Sequence, residues 1–102
     1  MPTLYITEFS GIQPDPYSGS VVAAAVPSVA DQTVAIGASS TQSAVLNAAT
    51  RLIRVVSDVN CFTKIGVNPT ASAETLRLVA ESPEYFAVTA NSGYKIAVIS
   101  GT

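Results

Sequence analysis

The sequence has no histidine, no tryptophan and one cysteine, and only 12 % of its 102 residues are charged. Each shortage closes off some chemistry. Without histidine, the usual base for activating a serine or cysteine nucleophile is missing, and so is the commonest imidazole metal ligand. The lone Cys61 cannot form an internal disulfide, which excludes a disulfide-stapled secreted module and makes a reducing cytoplasm the natural setting for folding. Five basic residues against seven acidic ones give a charge of −2 and a pI near 4.7. No surplus of Lys and Arg is left to displace counterions from a nucleic acid. The longest apolar stretch, residues 21–30, is about half a membrane span and is broken by Pro27 and Ser28. Residues 1–9 have no basic start and include Glu8, unlike a secretory signal. The expectation is no catalytic residue, no metal, no cofactor, no nucleic acid and no membrane.

What remains is a chain that is 48 % hydrophobic, of a size for one domain. Twelve charged side chains must serve a surface of about 5,400 Å² expected for this mass. Much of the exterior must then be Ser, Thr, Ala and Val, which fits either a neutral Ser/Thr-coated domain or, the favoured reading, a surface partly covered by other protein.

The pattern along the chain is β. Residues 3–9 (TLYITEF) nearly alternate β-branched and aromatic residues, which predicts a strand. Gly11, Pro14, Pro16 and Gly19 punctuate an irregular segment, and the Val/Ala run at 21–29, with Pro27, reads as an extended arm or edge strand. Residues 32–37 read as a short strand, and 43–49 as the one place where a helical turn competes. From residue 50 onwards, strands are predicted at 51–57, 61–67, 75–80, 84–89 and 94–100. The pair 51–57 and 61–67 makes a good hairpin candidate around Asp58-Val59-Asn60. Turn signals about every ten residues mark a sandwich or barrel. Period-two alternation puts Ile53, Val55, Cys61, Thr63, Ile65, Leu76, Leu78, Phe86, Val88, Ile96 and Val98 in the core.

Few side chains could carry chemistry. Cys61 lies in an apolar strand, where burial blunts a thiol. Gly37-Ala38-Ser39-Ser40 lacks the second glycine of a nucleophile elbow. Glu81 and Glu84 flank a turn, where carboxylates are solvated. Asp58-Val59-Asn60 opens like a calcium loop but lacks its continuation, so turn chemistry accounts for it. The tyrosines and phenylalanines could stack a sugar or a base, but without basic neighbours packing is the simpler role. Arg51 and Arg54 would point to opposite faces of one strand, with at least one paired to a carboxylate at a sheet edge or across an interface.

Five stretches carry a family resemblance: Gln32-Thr33-Val34-Ala35-Ile36, Thr50-Arg51-Leu52-Ile53-Arg54-Val55, Cys61 through Ala71 with its Gly66-Val67-Asn68-Pro69-Thr70 run, Glu84-Tyr85-Phe86 with Val88, and Tyr94-Lys95-Ile96-Ala97-Val98-Ile99. Over residues 32–100 the chain resembles small virion-associated proteins of tailed bacteriophages, departing from them at Phe62-Thr63-Lys64. The resemblance implies a non-enzymatic head decoration or cement protein that binds the major capsid protein or other virion proteins. By analogy it would be a homotrimer, made in the host bacterial cytoplasm and carried on the head surface. A neck, tail or fibre-base component is the alternative, and a carbohydrate-binding β module using Tyr85 or Tyr94 is the rival from another class.

The expected architecture is therefore all-β: an antiparallel sandwich, jelly-roll or Ig-like, of about seven or eight short strands. Residues 1–30 would form a strand and an extended Pro/Ala/Val arm, and 31–102 the core. Val21, Val22, Val26, Val29, Arg51 and Arg54 are the candidate interface residues.

Overall fold

A computed structural model describes residues 2–10, 12–15, 19–24 and 28–101, with backbone alone at 12–15 and 19–24. Its strands are β1 (Thr3–Phe9), β2 (Ile12–Asp15), β3 (Gly19–Ala24), β4 (Ala30–Ala35), β5 (Thr41–Gln42), β6 (Leu52–Ser57), β7 (Cys61–Gly66), β8 (Leu76–Leu78), β9 (Glu84–Ala87) and β10 (Lys95–Ser100). Eight of them form two four-stranded antiparallel sheets, ordered β4-β1-β6-β9 and β5-β10-β7-β8. We call these the first and second sheets. β2 and β3 make a separate two-stranded ribbon inserted between β1 and β4. There is no helix among the described residues, so none that could cross a membrane.

The architecture is an antiparallel β-sandwich, as expected. With the ribbon set aside, the strand order is that of a jelly roll, not an immunoglobulin fold, with the first strand occupying the place the last one takes there. Such a cyclic permutation brings the termini together. The Ile36 amide donates to the Pro2 carbonyl (2.9 Å), and the Ser100 amide to the neighbouring Gly37 carbonyl (2.9 Å).

Period-two alternation sets the core. Leu4 and Ile6 of β1, Val34 and Ile36 in and after β4, and Ile53 and Val55 of β6 face Cys61, Leu78, Ile96 and Val98 of the second sheet. Ile65, Phe86, Val88 and Tyr94 pack against this cluster while partly buried. Each fully buried side chain contributes roughly 1.5–3 kcal/mol relative to exposure.

Five expectations need correction. The N-terminal strand is part of the sandwich core that was expected to begin at residue 31: β1 lies between β4 and β6, with Leu4 and Ile6 almost fully buried. A strand hydrogen-bonded on both sides belongs to the sandwich. Within the first thirty residues, β2 and β3 form a paired ribbon where an irregular segment was expected, followed by an extended arm or edge strand; β3 realises the strand alternative over its first residues. Pro14 is accommodated beside a register irregularity, as proline requires. Strands β6 and β7 are not a hairpin but lie in opposite sheets, because Ile53 and Val55 face Cys61 across the core instead of beside it. Leu76 is 46 % exposed, since β8 is a short edge strand. Residues 43–49 form no helix; they cross from β5 in the second sheet to β6 in the first.

Candidate functional site

The inward alternation of β1 continues past Leu4 and Ile6 to Glu8, a carboxylate only 2 % exposed at the end of the core. Burying a charge is costly unless donors replace its water. Three do so. The Asn47 amide (2.6 Å) and the Thr50 hydroxyl (2.7 Å) donate to Oε1, and the Gln32 side-chain amide (3.1 Å) to Oε2. Gln32 is itself fixed, because the Ala44 amide donates to its Oε1 (3.0 Å). The cluster ties the crossing segment to the first sheet. On its other side, the same segment is held by reciprocal bonds between Ser43 and Ile96 and by the Leu46 amide donating to the Tyr94 carbonyl (2.8 Å). Among the described residues no buried side-chain polar atom lacks a partner. Glu8 is thus an anchor for the strap that closes this end of the sandwich. The alternation Leu4, Ile6, Glu8 was the signal for it in the sequence, but that strand was read without its core face.

The other conspicuous arrangement is the outer face of the first sheet. Residues of β1, β4, β6 and β9 that alternate away from the core fall into cross-strand rows. One row is Thr33, Tyr5 and Val56; the next is Asp31, Thr7, Arg54 and Tyr85. Tyr5 and Tyr85 are about half exposed. Arg54 is directly opposite Tyr85 and diagonal to Tyr5, so the register sets an arginine beside two tyrosines on the outer face of the sheet. Tyrosine and arginine are the side chains that most often dominate protein–protein binding, since they combine large contact area with directional donors.

The remaining candidates are dispersed. Arg51 is exposed just before β6, with its backbone engaged by Phe9 and Val88. Val29 is half-buried, and its amide donates to the Glu8 carbonyl (2.7 Å). Val21 and Val22 belong to β3, with side chains outside the described residues, as is Val26 altogether. Tyr94 packs against the core, so a sugar platform would have to rest on Tyr85. The Cys61 thiol is fully buried; desolvation raises its pKa and nearby Asp58 adds to that, against a lowering hydrogen bond with Ser57. Asp58 and Asn60 flank the chain reversal, but their side chains accept from distant amides where local turn bonds were expected: those of Thr3 (2.8 Å) and Ala80 (2.9 Å). Glu81 adopts φ 63° and its amide donates to the Ser57 carbonyl. Among the described residues no group of three or more acidic, cysteine or histidine side chains could hold a metal ion.

Comparison with known proteins finds no matching family model, no similar curated protein and no similar solved structure.

Proposed function

We propose that this chain is a non-enzymatic structural protein that docks on other protein through the outer face of its first sheet. We propose further that its setting is the head shell of a tailed bacteriophage, where it acts as a decoration or cement protein. The observation that carries the docking reading is the juxtaposition of Tyr5, Arg54 and Tyr85 on the outer face of the first sheet, with both tyrosines about half exposed. The low charge of the chain supports it too, since a surface poor in Lys and Glu resembles an interface more than a free exterior. The viral setting rests on the sequence resemblance, and on the use of jelly rolls in capsid and lectin domains, which is an analogy of fold. Bound copies would bridge neighbouring shell subunits and add mass-action stability to the closed particle.

The test is co-sedimentation of purified protein with phage head shells that lack it. Wild-type protein should pellet with the shells. R54A/Y85A should stay folded, because both side chains lie outside the core, and should lose affinity by about 30-fold for each ~2 kcal/mol of interface energy removed. Undiminished pelleting of the folded variant refutes the assignment of this face. Glycan-array binding that is lost on Y85A would instead favour the carbohydrate reading.

A further inference from the structure

The four edges of the sandwich are not alike. In the second sheet the outermost strands are β5, of two residues, and β8, of three; in the first sheet β9 has four, directly behind Pro83. Short edge strands, and a proline at the entry, keep a sheet from recruiting another chain. β4 is the exception. It has six residues, with β1 on one side and, among the described residues, no strand on the other. Its sequence, ADQTVA, holds no lysine and no proline, and its register with β1 runs without a bulge.

The register decides which backbone groups that edge presents. In an antiparallel pair, alternate residues turn both N–H and C=O to the partner strand, and the residues between them turn both away. The Ile36 amide donates to the Pro2 carbonyl, in step with the β1–β4 pairing. By alternation Val34 and Gln32 also bond to β1, and Asp31, Thr33 and Ala35 direct both groups outward. Among the described residues no backbone bond outside the sheets engages those three. Their side chains, on the outer face, are short and exposed, and Asp31 carries the one charge. This row is self-complementary. With a second copy turned about a two-fold axis through Thr33, the two threonines face each other and each Asp31 faces an Ala35. All three residues then form bonded pairs, so every outward N–H and C=O of the row finds a partner. Any other register leaves at least one of the three without a counterpart in the row. Threonine opposite threonine is a favourable cross-strand pair, and no like charges are opposed.

We propose that β4 is a self-association edge: a second copy of this chain pairs its own β4 antiparallel to it, in the register centred on Thr33. The same patch serves both copies, so the contact closes at two. It is a dimer contact, unlike the trimer that the family resemblance implies. The two four-stranded first sheets become one continuous sheet, whose outer face presents Tyr5, Arg54 and Tyr85 twice. The dimer itself does not depend on the docking role of that face.

The test is disulfide trapping of full-length protein together with sedimentation equilibrium. A bonded antiparallel pair sets its Cα atoms about 5.5 Å apart, a separation that a disulfide spans. T33C should therefore oxidise to a covalent dimer. D31C and A35C should each stay uncrosslinked alone, because the two-fold axis offsets each from its copy by four residues, about 13 Å along the strand. An equimolar mixture of D31C and A35C should crosslink. Native Cys61 is fully buried and takes no part. Without oxidant, wild type should sediment as a dimer. T33K sets two ammonium groups face to face and should weaken the dimer about tenfold or more, whereas A35K sets each lysine opposite Asp31 and should tighten it several-fold. These positions are exposed, so circular dichroism should match wild type throughout. R54A/Y85A should dimerise like wild type, which keeps this edge separate from the docking face. A wild type still monomeric at about 1 mM, a trimer, no crosslink in T33C, a crosslink in A35C alone as strong as that in T33C, unchanged affinity in T33K, or loss of the dimer in R54A/Y85A would each overturn the proposal.

Discussion

Replacing Glu8 tests the account of how the sandwich is closed. In Glu8→Ala the carboxylate that accepts from Asn47, Thr50 and Gln32 is gone. Asn47 is exposed and Gln32 partly so, and both can recover water; Thr50 is 1 % exposed and cannot. Hydrogen bonds to a charged group contribute about 1.5–3 kcal/mol each, and an orphaned buried donor costs about 1–3 kcal/mol. With rehydration offsetting part of the loss, the expected destabilisation is about 3–5 kcal/mol, much of the 5–15 kcal/mol typical of a domain. In urea, with a slope of about 1.5 kcal/mol per molar, the midpoint should fall by roughly 2–3 M. Glu8→Gln separates charge from geometry. Its carbonyl can still accept from Asn47 and Thr50, but its amide then faces the Gln32 amide, donor against donor, for a loss of about 1–2 kcal/mol. The exchange E8Q/Q32E restores complementarity, because a carboxylate at position 32 can accept from both the new amide and the Ala44 backbone. Q32E alone sets two carboxylates against each other and should be worse than either. A Glu8→Ala midpoint within experimental error of wild type, or an exchange variant no more stable than Glu8→Gln, would falsify the anchoring role.

Three further outcomes follow from the fold. Val29 donates to the Glu8 carbonyl beside the start of β4, so splicing residues 11–27 into a tight turn should leave a folded sandwich, whereas deletion of 1–30 removes β1 and should unfold it; circular dichroism and thermal melts separate the two. Cys61 should resist Ellman's reagent in the native protein and react on unfolding. Because burial raises its pKa above the unfolded value, its stabilising contribution is full below the ordinary thiol range of about 8.5 and declines as pH rises through the native value; urea midpoints compared with those of Cys61→Ser across that range report it. Gly101→Ala would bring a Cβ to 2.9 Å from the Asn60 carbonyl oxygen and 3.1 Å from the Cys61 amide, both backbone. It should cost about 1–3 kcal/mol, while Gly66→Ala, which meets open space, should change chemical denaturation far less.

Period-two alternation and turn chemistry made the strand content legible. β1 has the predicted bounds at residues 3–9, and Ile53, Val55, Cys61, Leu78, Ile96 and Val98 face inward as the pattern required. Asn91 and Gly93 have φ of 55° and 75°, the left-handed backbone that a turn of Asn, Ser and Gly favours. These features are local: a side chain's alternation depends on its own strand, and a turn's handedness on a few dihedrals.

Pairing is not local, and only the tertiary structure decided it. Asp58-Val59-Asn60 says that the chain reverses, but not whether the next strand stays in the same sheet; the bonds of Asp58 to Thr3 and of Asn60 to Ala80 accompany a crossing to the opposite one. In the same way, β1 became an inner strand of its sheet because two distant segments, β4 and β6, flank it, and Glu8 became an anchor because Asn47 and Thr50 arrive from some forty residues away. The Tyr5–Arg54–Tyr85 cluster joins three strands whose register no neighbouring residue encodes. A sequence fixes which face of a strand avoids water, whereas the choice of partner strand depends on contacts between residues far apart in the chain.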